Sequence, residues 1–224
     1  YFTGCKEVLG KSLFFVGEIG GNDLNHPLFQ DKSVDEIIRT YVPKVINEIS
    51  STINKLIEVG AQTLVVPGNF PLGCNFFYLM KYHTADMDKY DQAGCLKWLN
   101  KLAQYYNHKL YNEINRLQVL HPHTNIIYAD YYHAALKLYQ SPTLFGFTKS
   151  TQDACCVPKY DGKNTYDPSL RCGDPNVIAC DDPSQYISWD SIHLTEAAYK
   201  WIAEGLFTGI YTKPQISFSC DSEI

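Results

Sequence analysis

The sequence predicts an α/β fold: a parallel sheet covered by helices on both faces. Three observations lead to it. Short apolar runs alternate with longer amphipathic ones, strand then helix three times over, between about residues 12 and 139. The strand-like runs are near-continuous in apolar residues instead of alternating, as strands buried on both faces are. Each ends in Gly, Asn or Asp, the turn residues expected where such strands hand over to helices.

Ser12 to Gly17 (Ser-Leu-Phe-Phe-Val-Gly) reads as a short buried strand closed by glycine, followed by the turn Gly20-Gly21-Asn22-Asp23. A first helical piece begins near Ser33. A longer helix from about Pro43 to Val59 carries Val42, Val45, Ile46, Ile49, Ile53, Leu56 and Ile57 as one stripe. Pro43 suits its first turn and Gly60 its end. Thr63 to Val66 is the next strand, ending in Pro67-Gly68-Asn69, and residues 68–90 read as a long loop. A second long helix, about Gln92 to Leu117, places Leu96, Leu99, Ala103, Tyr106, Leu110, Ile114 and Leu117 on one face. Asn125 to Ala129 is the third strand, and Asp130 to Tyr139 a short helix. Residues 141–188 form an irregular, cysteine-rich loop within a single domain of residues 1–224. Thr195 is the expected N-cap of a last helix, with Leu194, Ala198, Trp201, Ile202 and Leu206 turned inward.

Composition narrows the function classes. The 224 residues are 45% hydrophobic and 19% charged, with net charge −5. A packed core is expected, and the absence of a basic block gives nucleic-acid binding no support. There is no uninterrupted apolar window of about 18 residues, so no membrane span is expected. The chain begins without Met and reads as the middle of something longer. Of eight cysteines, Cys155, Cys156, Cys172 and Cys180 fall in the irregular loop, whereas Cys5, Cys74, Cys95 and Cys220 lie elsewhere. A stretch so poor in core-forming side chains needs covalent staples, and at least two of those four are expected in disulfides. That usage implies a secreted or extracellular protein. No Cys-x-x-Cys pair occurs, and His121-Pro122-His123 reads as a surface turn, so no metal and no cofactor are expected. The 17 tyrosines read as packing residues, not an aromatic substrate box.

The chemistry centres on Asp190 and His193, in Ser188-Trp189-Asp190-Ser191-Ile192-His193-Leu194-Thr195-Glu196. A carboxylate three residues before a histidine, on a turn entering a helix, can reach back to one ring nitrogen. That contact sets the tautomer and leaves the other nitrogen free to accept a proton. No serine is placed as the nucleophile for this base. Asn22, after two glycines at a strand end, can donate its side-chain N–H to a developing oxyanion, or can simply hold a tight turn in the left-handed conformation. In parallel sheets ligands collect at the strands' carboxyl ends, so Asn22 and His193 are expected on one rim. Asp23 and Asp130, also at strand ends, are explained equally by loop hydrogen bonds.

Together these segments resemble one family. Phe15-Val16-Gly17-Glu18-Ile19-Gly20-Gly21-Asn22-Asp23 is similar to the third conserved block of the GDSL, or SGNH, esterase/lipases. Trp189 through Tyr199 is similar to the last block, and Val66-Pro67-Gly68-Asn69-Phe70-Pro71-Leu72-Gly73-Cys74 to the plant form of the segment between. Ala154-Cys155-Cys156 and Arg171-Cys172-Gly173 also resemble the plant enzymes. Two departures stand out: Ser191 where glycine is usual, and Val157 to Tyr166 in place of a glycine-rich run.

The resemblance implies a three-layer α/β/α, flavodoxin-like SGNH-hydrolase fold, incomplete at its N-terminus. It makes His193 the general base, Asp190 its orienting acid and Asn22 the oxyanion donor. The family's Gly-Asp-Ser nucleophile block is absent, since Pro175 follows the only Gly-Asp, Gly173-Asp174. The expected activity is carboxylic ester hydrolysis of small or lipid esters, through a triad whose serine lies on a missing N-terminal segment, and the chain alone is expected to be inactive. The alternatives are a non-catalytic binding protein on the same scaffold, and an acyltransferase in which an alcohol replaces water.

Overall fold

A computed structural model describes residues 2–160, 163–164, 167 and 170–216. In chain order the elements are α1 (Phe2–Gly10), β1 (Leu13–Phe15), α2 (Gly21–Phe29), α3 (Val34–Glu36), α4 (Val42–Val59), β2 (Thr63–Pro67), α5 (Phe76–Lys81), α6 (Lys97–Leu120), β3 (Asn125–Ala129), α7 (Tyr131–Gln140), β4 (Lys159–Tyr160), β5 (Lys163–Asn164), α8 (Glu196–Phe207) and β6 (Thr212–Lys213). The chain divides into two compact units. Of the described residues, the first holds those in 2–70, 102–131 and 206–216, and the second those in 71–101 and 132–205.

The first unit is built on one sheet, in the order β1-β2-β3-β6. β1, β2 and β3 run parallel, with Leu13 opposite Thr63 and Thr63 opposite Asn125. Leu64, Val65 and Val66 of β2, and Ile126, Ile127 and Tyr128 of β3, are all at most 5% exposed. Successive strand residues face opposite sides, so both faces of these strands are covered. This is the α/β arrangement expected from the run of apolar strands. Two details differ. β6 pairs antiparallel with β3, Tyr128 opposite Lys213. β1 is an edge strand and not a buried one: Leu13 is 39% and Phe15 50% exposed.

The helical stripes hold. Val42, Val45, Ile46, Ile49 and Ile53 are buried along α4, and Gly60 ends it in the left-handed conformation with φ 116°. The expected piece from Ser33 is real and continuous with α4. The Ser33 side chain caps it by accepting from the Glu36 N–H at 3.1 Å. One π-helical turn, Ile37–Tyr41, joins the two just before Pro43, which has no N–H to donate. On α6, Leu99, Ala103, Tyr106, Leu110, Ile114 and Leu117 are buried. The helix starts at Lys97 and not at Gln92, because Asp91 to Leu96 are held in a turn: the Asp91 N–H donates to the Cys95 carbonyl at 2.9 Å, and the Leu96 N–H to the Gly73 carbonyl at 2.8 Å.

Residues 68–90 are no mere loop, since α5 lies among them, in the second unit, capped by Asn75. Three disulfides brace this unit: Cys74–Cys95, Cys155–Cys180 and Cys156–Cys172. All four loop cysteines are therefore paired, where at least two were expected to be. The Cys5 side chain and Cys220 lie outside the described residues. The last helix is capped as expected, with Thr195 Oγ1 accepting from the Ala198 N–H at 3.2 Å. Trp201 is not turned inward: it is 41% exposed, and its Nε1–H donates to the Phe145 carbonyl at 3.0 Å. Tyr78, Tyr90, Tyr106, Tyr128, Tyr132 and Tyr139 are all buried packing residues. Among the described residues no helix is long and apolar enough to cross a membrane.

Candidate active site

The segment from Ile187 to Thr195 folds back on itself. The Thr195 N–H donates to the Ile187 carbonyl at 2.8 Å, and the Trp189 N–H to the His193 carbonyl at 2.9 Å. Asp190 stands at the start of the tip and organises it. Its Oδ1 accepts from the backbone N–H groups of Ile192 and His193, both at 2.7 Å. Its Oδ2 faces Nδ1 of the His193 ring at 2.9 Å. A short-chain carboxylate suits this place because it can bond backbone two and three residues ahead while one oxygen remains for the ring. Ser191, at the position where the resemblance expected glycine, adopts no left-handed conformation. The one non-glycine residue with positive φ among those described is Asp31.

Burial opposes ionisation of Asp190, but the His193 N–H, the His193 ring and the Ile192 N–H more than offset it. The carboxyl is held below the usual carboxylate range. The imidazole itself is open, its side chain 67% exposed against 24% for Asp190. With Nδ1 on the carboxylate, Nε2 is the nitrogen left to exchange a proton with a reacting group.

Asn22 belongs to the first unit, Asp190 and His193 to the second. Asn22 lies at the carboxyl end of β1, exposed, in the first turn of α2. The left-handed residue there is Gly20, with φ 104°, so Asn22 is helical and not the turn-former. Gly20 has to be glycine for a second reason: a Cβ would run into the Tyr106 hydroxyl. The nine-residue α2 is hard to read from sequence because it holds Pro27 and its buried face, Gly21, Leu24, Asn25 and Leu28, includes only two large apolar residues.

The structure adds residues not singled out from sequence. The Ser188 and Trp189 carbonyls accept from the N–H groups of Cys155 at 3.0 Å and Cys156 at 2.6 Å. The Ser191 and Ile192 carbonyls accept from the Phe77 N–H and the Asn75 side chain, both at 2.8 Å. The signal for Asn75 was its place just before an apolar run, an N-cap position. His121 takes part in no such cluster: its Nε2 lies 2.8 Å from Asn54 Oδ1. An open groove of about 550 Å³ runs along Gln62, Thr63, His123 and Asn125, at the amino ends of β2 and β3, away from the strand ends that carry Asn22.

Comparison with known proteins gives the chain its family. Residues 10–206 match the family model described as GDSL-like Lipase/Acylhydrolase. Two GDSL esterase/lipases of Arabidopsis thaliana are 48% and 49% identical over 97% and 99% of this chain, and 55% of each relative is covered. A sinapine esterase of Brassica napus is 44% identical over 96% of the chain and 55% of its own length. The chain thus spans about half the length of the relatives it matches. With the family model matched across most of its length and its own Asp190–His193 pair in bonding geometry, the chain belongs to the GDSL-like lipase/acylhydrolase family.

Proposed function

We propose that the whole protein hydrolyses carboxylic esters, with His193 as general base, Asp190 as the acid that orients it and Asn22 as oxyanion donor. The observation that carries this reading is the 2.9 Å contact between His193 Nδ1 and Asp190 Oδ2. A serine hydroxyl attacks the ester carbonyl while Nε2 of His193 takes its proton. The Asn22 amide stabilises the oxyanion, and His193 returns the proton to the departing alcohol. Water then attacks the acyl-serine by the same route and releases the acid.

The serine is assigned to a segment outside residues 1–224 because no Gly-Asp-Ser block occurs among them. The outer edge of β1 supports that assignment. Among the described residues β1 pairs with β2 alone, and Leu13 and Phe15 stand exposed beside it, which suits a further strand added there. The substrate class is small-molecule esters, lipid esters included, and the three disulfides suit a secreted or extracellular protein, apoplast or vacuole.

The test is turnover of a simple aryl ester by the full-length protein and by residues 1–224 alone. The full-length protein should turn over, and His193→Ala should lower its rate by ~10²- to 10⁴-fold. The isolated chain should stay at background and take no label from a serine-directed fluorophosphonate. A full-length protein without turnover would overturn the hydrolase reading. Turnover by residues 1–224 alone, lost in His193→Ala, would overturn the external serine.

A further inference from the structure

Within the turn that carries Asp190 and His193, the Trp189, Ile192 and His193 N–H groups bond internally, but two of its carbonyls are met from outside. These are the carbonyls of Ser191 and Ile192, and both are met by the start of α5. The Phe77 N–H donates to the Ser191 carbonyl at 2.8 Å, and Asn75 Nδ2 donates to the Ile192 carbonyl at 2.8 Å. Asn75 Oδ1 meanwhile accepts from the Phe77 N–H at 3.0 Å. This double engagement fixes the amide orientation, because exchanging its oxygen and nitrogen would set oxygen against the Ile192 carbonyl and nitrogen against an N–H.

Asn75 is itself rigidly held. It follows Cys74, which is bonded to Cys95. The Gly73 N–H donates to Asn100 Oδ1 at 2.9 Å, and Asn100 Nδ2 in turn donates to Asp91 Oδ2 at 3.2 Å. The Gly73 carbonyl accepts from Leu96 at 2.8 Å. No side chain fits at Gly73, where a Cβ would strike the Leu96 carbonyl. A half-buried amide on so fixed a backbone is a reference point against which a neighbouring turn can be set.

We infer that Asn75 is a positioning residue for the general base: its side-chain bridge to the Ile192 carbonyl fixes the Asp190–His193 turn and so the direction in which Nε2 is presented. The inference rests on the reading of His193 as the base. It differs from a simple capping role, in which Asn75 would serve only to start α5. The two roles separate chemically. Serine is also a good N-cap, and Asn75→Ser keeps an oxygen for the Phe77 N–H. Its hydroxyl is too short to reach the Ile192 carbonyl, so the bridge alone is removed. Asn75→Asp keeps the cap oxygen and turns a carboxylate oxygen toward that carbonyl, which repels it.

The experiment uses the full-length protein with nitrogen-15-labelled histidine. The His193 Nδ1–H resonance is assigned by its disappearance in His193→Ala, and its exchange with water is followed against pH. In Asn75→Ser, exchange should speed up at least about tenfold as the turn opens. Asn75→Asp should be affected at least as much. The kcat for an aryl ester should fall about tenfold in both, with KM within about twofold, because orientation of the base is lost and not substrate binding. A capping role alone would leave the resonance and the pH profile as they are. Unchanged exchange in both variants would overturn the inference, whatever happens to thermal stability. If the full-length protein lacks ester turnover, the hydrolase reading fails by itself, and the exchange rates still decide whether Asn75 positions His193.

Discussion

The hydroxyl of Tyr106 donates to the Ile19 carbonyl at 2.8 Å, and its ring fills the space that a side chain on Gly20 would occupy. Burial, with the charges of Asp23 and Glu18 nearby, pushes the hydroxyl well above the ordinary tyrosine value, so it remains a donor throughout the working pH range. The bend that delivers Asn22 is therefore set by a tyrosine far away in sequence.

From that relation, Gly20→Ala should destabilise the fold by about 1–3 kcal/mol, since the new methyl meets both a positive φ and the Tyr106 ring. Tyr106→Phe should cost about 1 kcal/mol for the Ile19 carbonyl left without its donor. Denaturant midpoints at unchanged slope check both.

Asp190→Asn should leave the turn folded, because an amide oxygen can still accept from the Ile192 and His193 N–H groups. It should nevertheless lower ester turnover of the full-length protein by ~10³- to 10⁴-fold, since an amide facing Nδ1 favours the wrong tautomer. Steady-state kinetics together with a thermal melt separate the two effects.

Acid should weaken the Asp190 turn in a defined direction. The carboxyl binds its proton less readily folded than unfolded. Its contribution is thus present above about pH 4, the ordinary unfolded value, and is lost as pH falls through the lower folded value. The melting temperature of the wild-type protein should fall across that acid range by more than that of Asp190→Asn, measured by calorimetry in matched buffers.

Removing Cys156–Cys172 as a pair of serines should cost about 2–4 kcal/mol. It should also speed amide exchange around Trp189, whose carbonyl accepts from the Cys156 N–H at 2.6 Å. Mass-resolved exchange of the Ser188–His193 peptide reports that effect directly.

What the sequence made legible follows physical scale. α4 and α6 are long enough for their apolar stripes to stand out, and Gly60 at the end of α4 and Thr195 at the start of α8 mark helix boundaries by local chemistry alone. Asp190 and His193 were legible because three residues of spacing suffice to bring them together. α2 and α5 were not, being short, one containing Pro27 and the other apolar up to its last residue, Lys81. The exposure of Leu13 and Phe15 is not legible in sequence because an apolar run looks the same in a central strand and at an edge. The bracing of Ser191 and Ile192 by α5 joins residues more than a hundred positions apart, beyond the reach of any local pattern.

β1 also governs how residues 1–224 behave when handled alone. Its outer edge offers backbone donors and acceptors beside Leu13 and Phe15, a template to which another copy can add a strand. Solubility of the isolated chain should accordingly fall with concentration through edge-to-edge association. A single charge at the rim, Phe15→Lys, should hold it in solution, as sedimentation velocity across a concentration series would record.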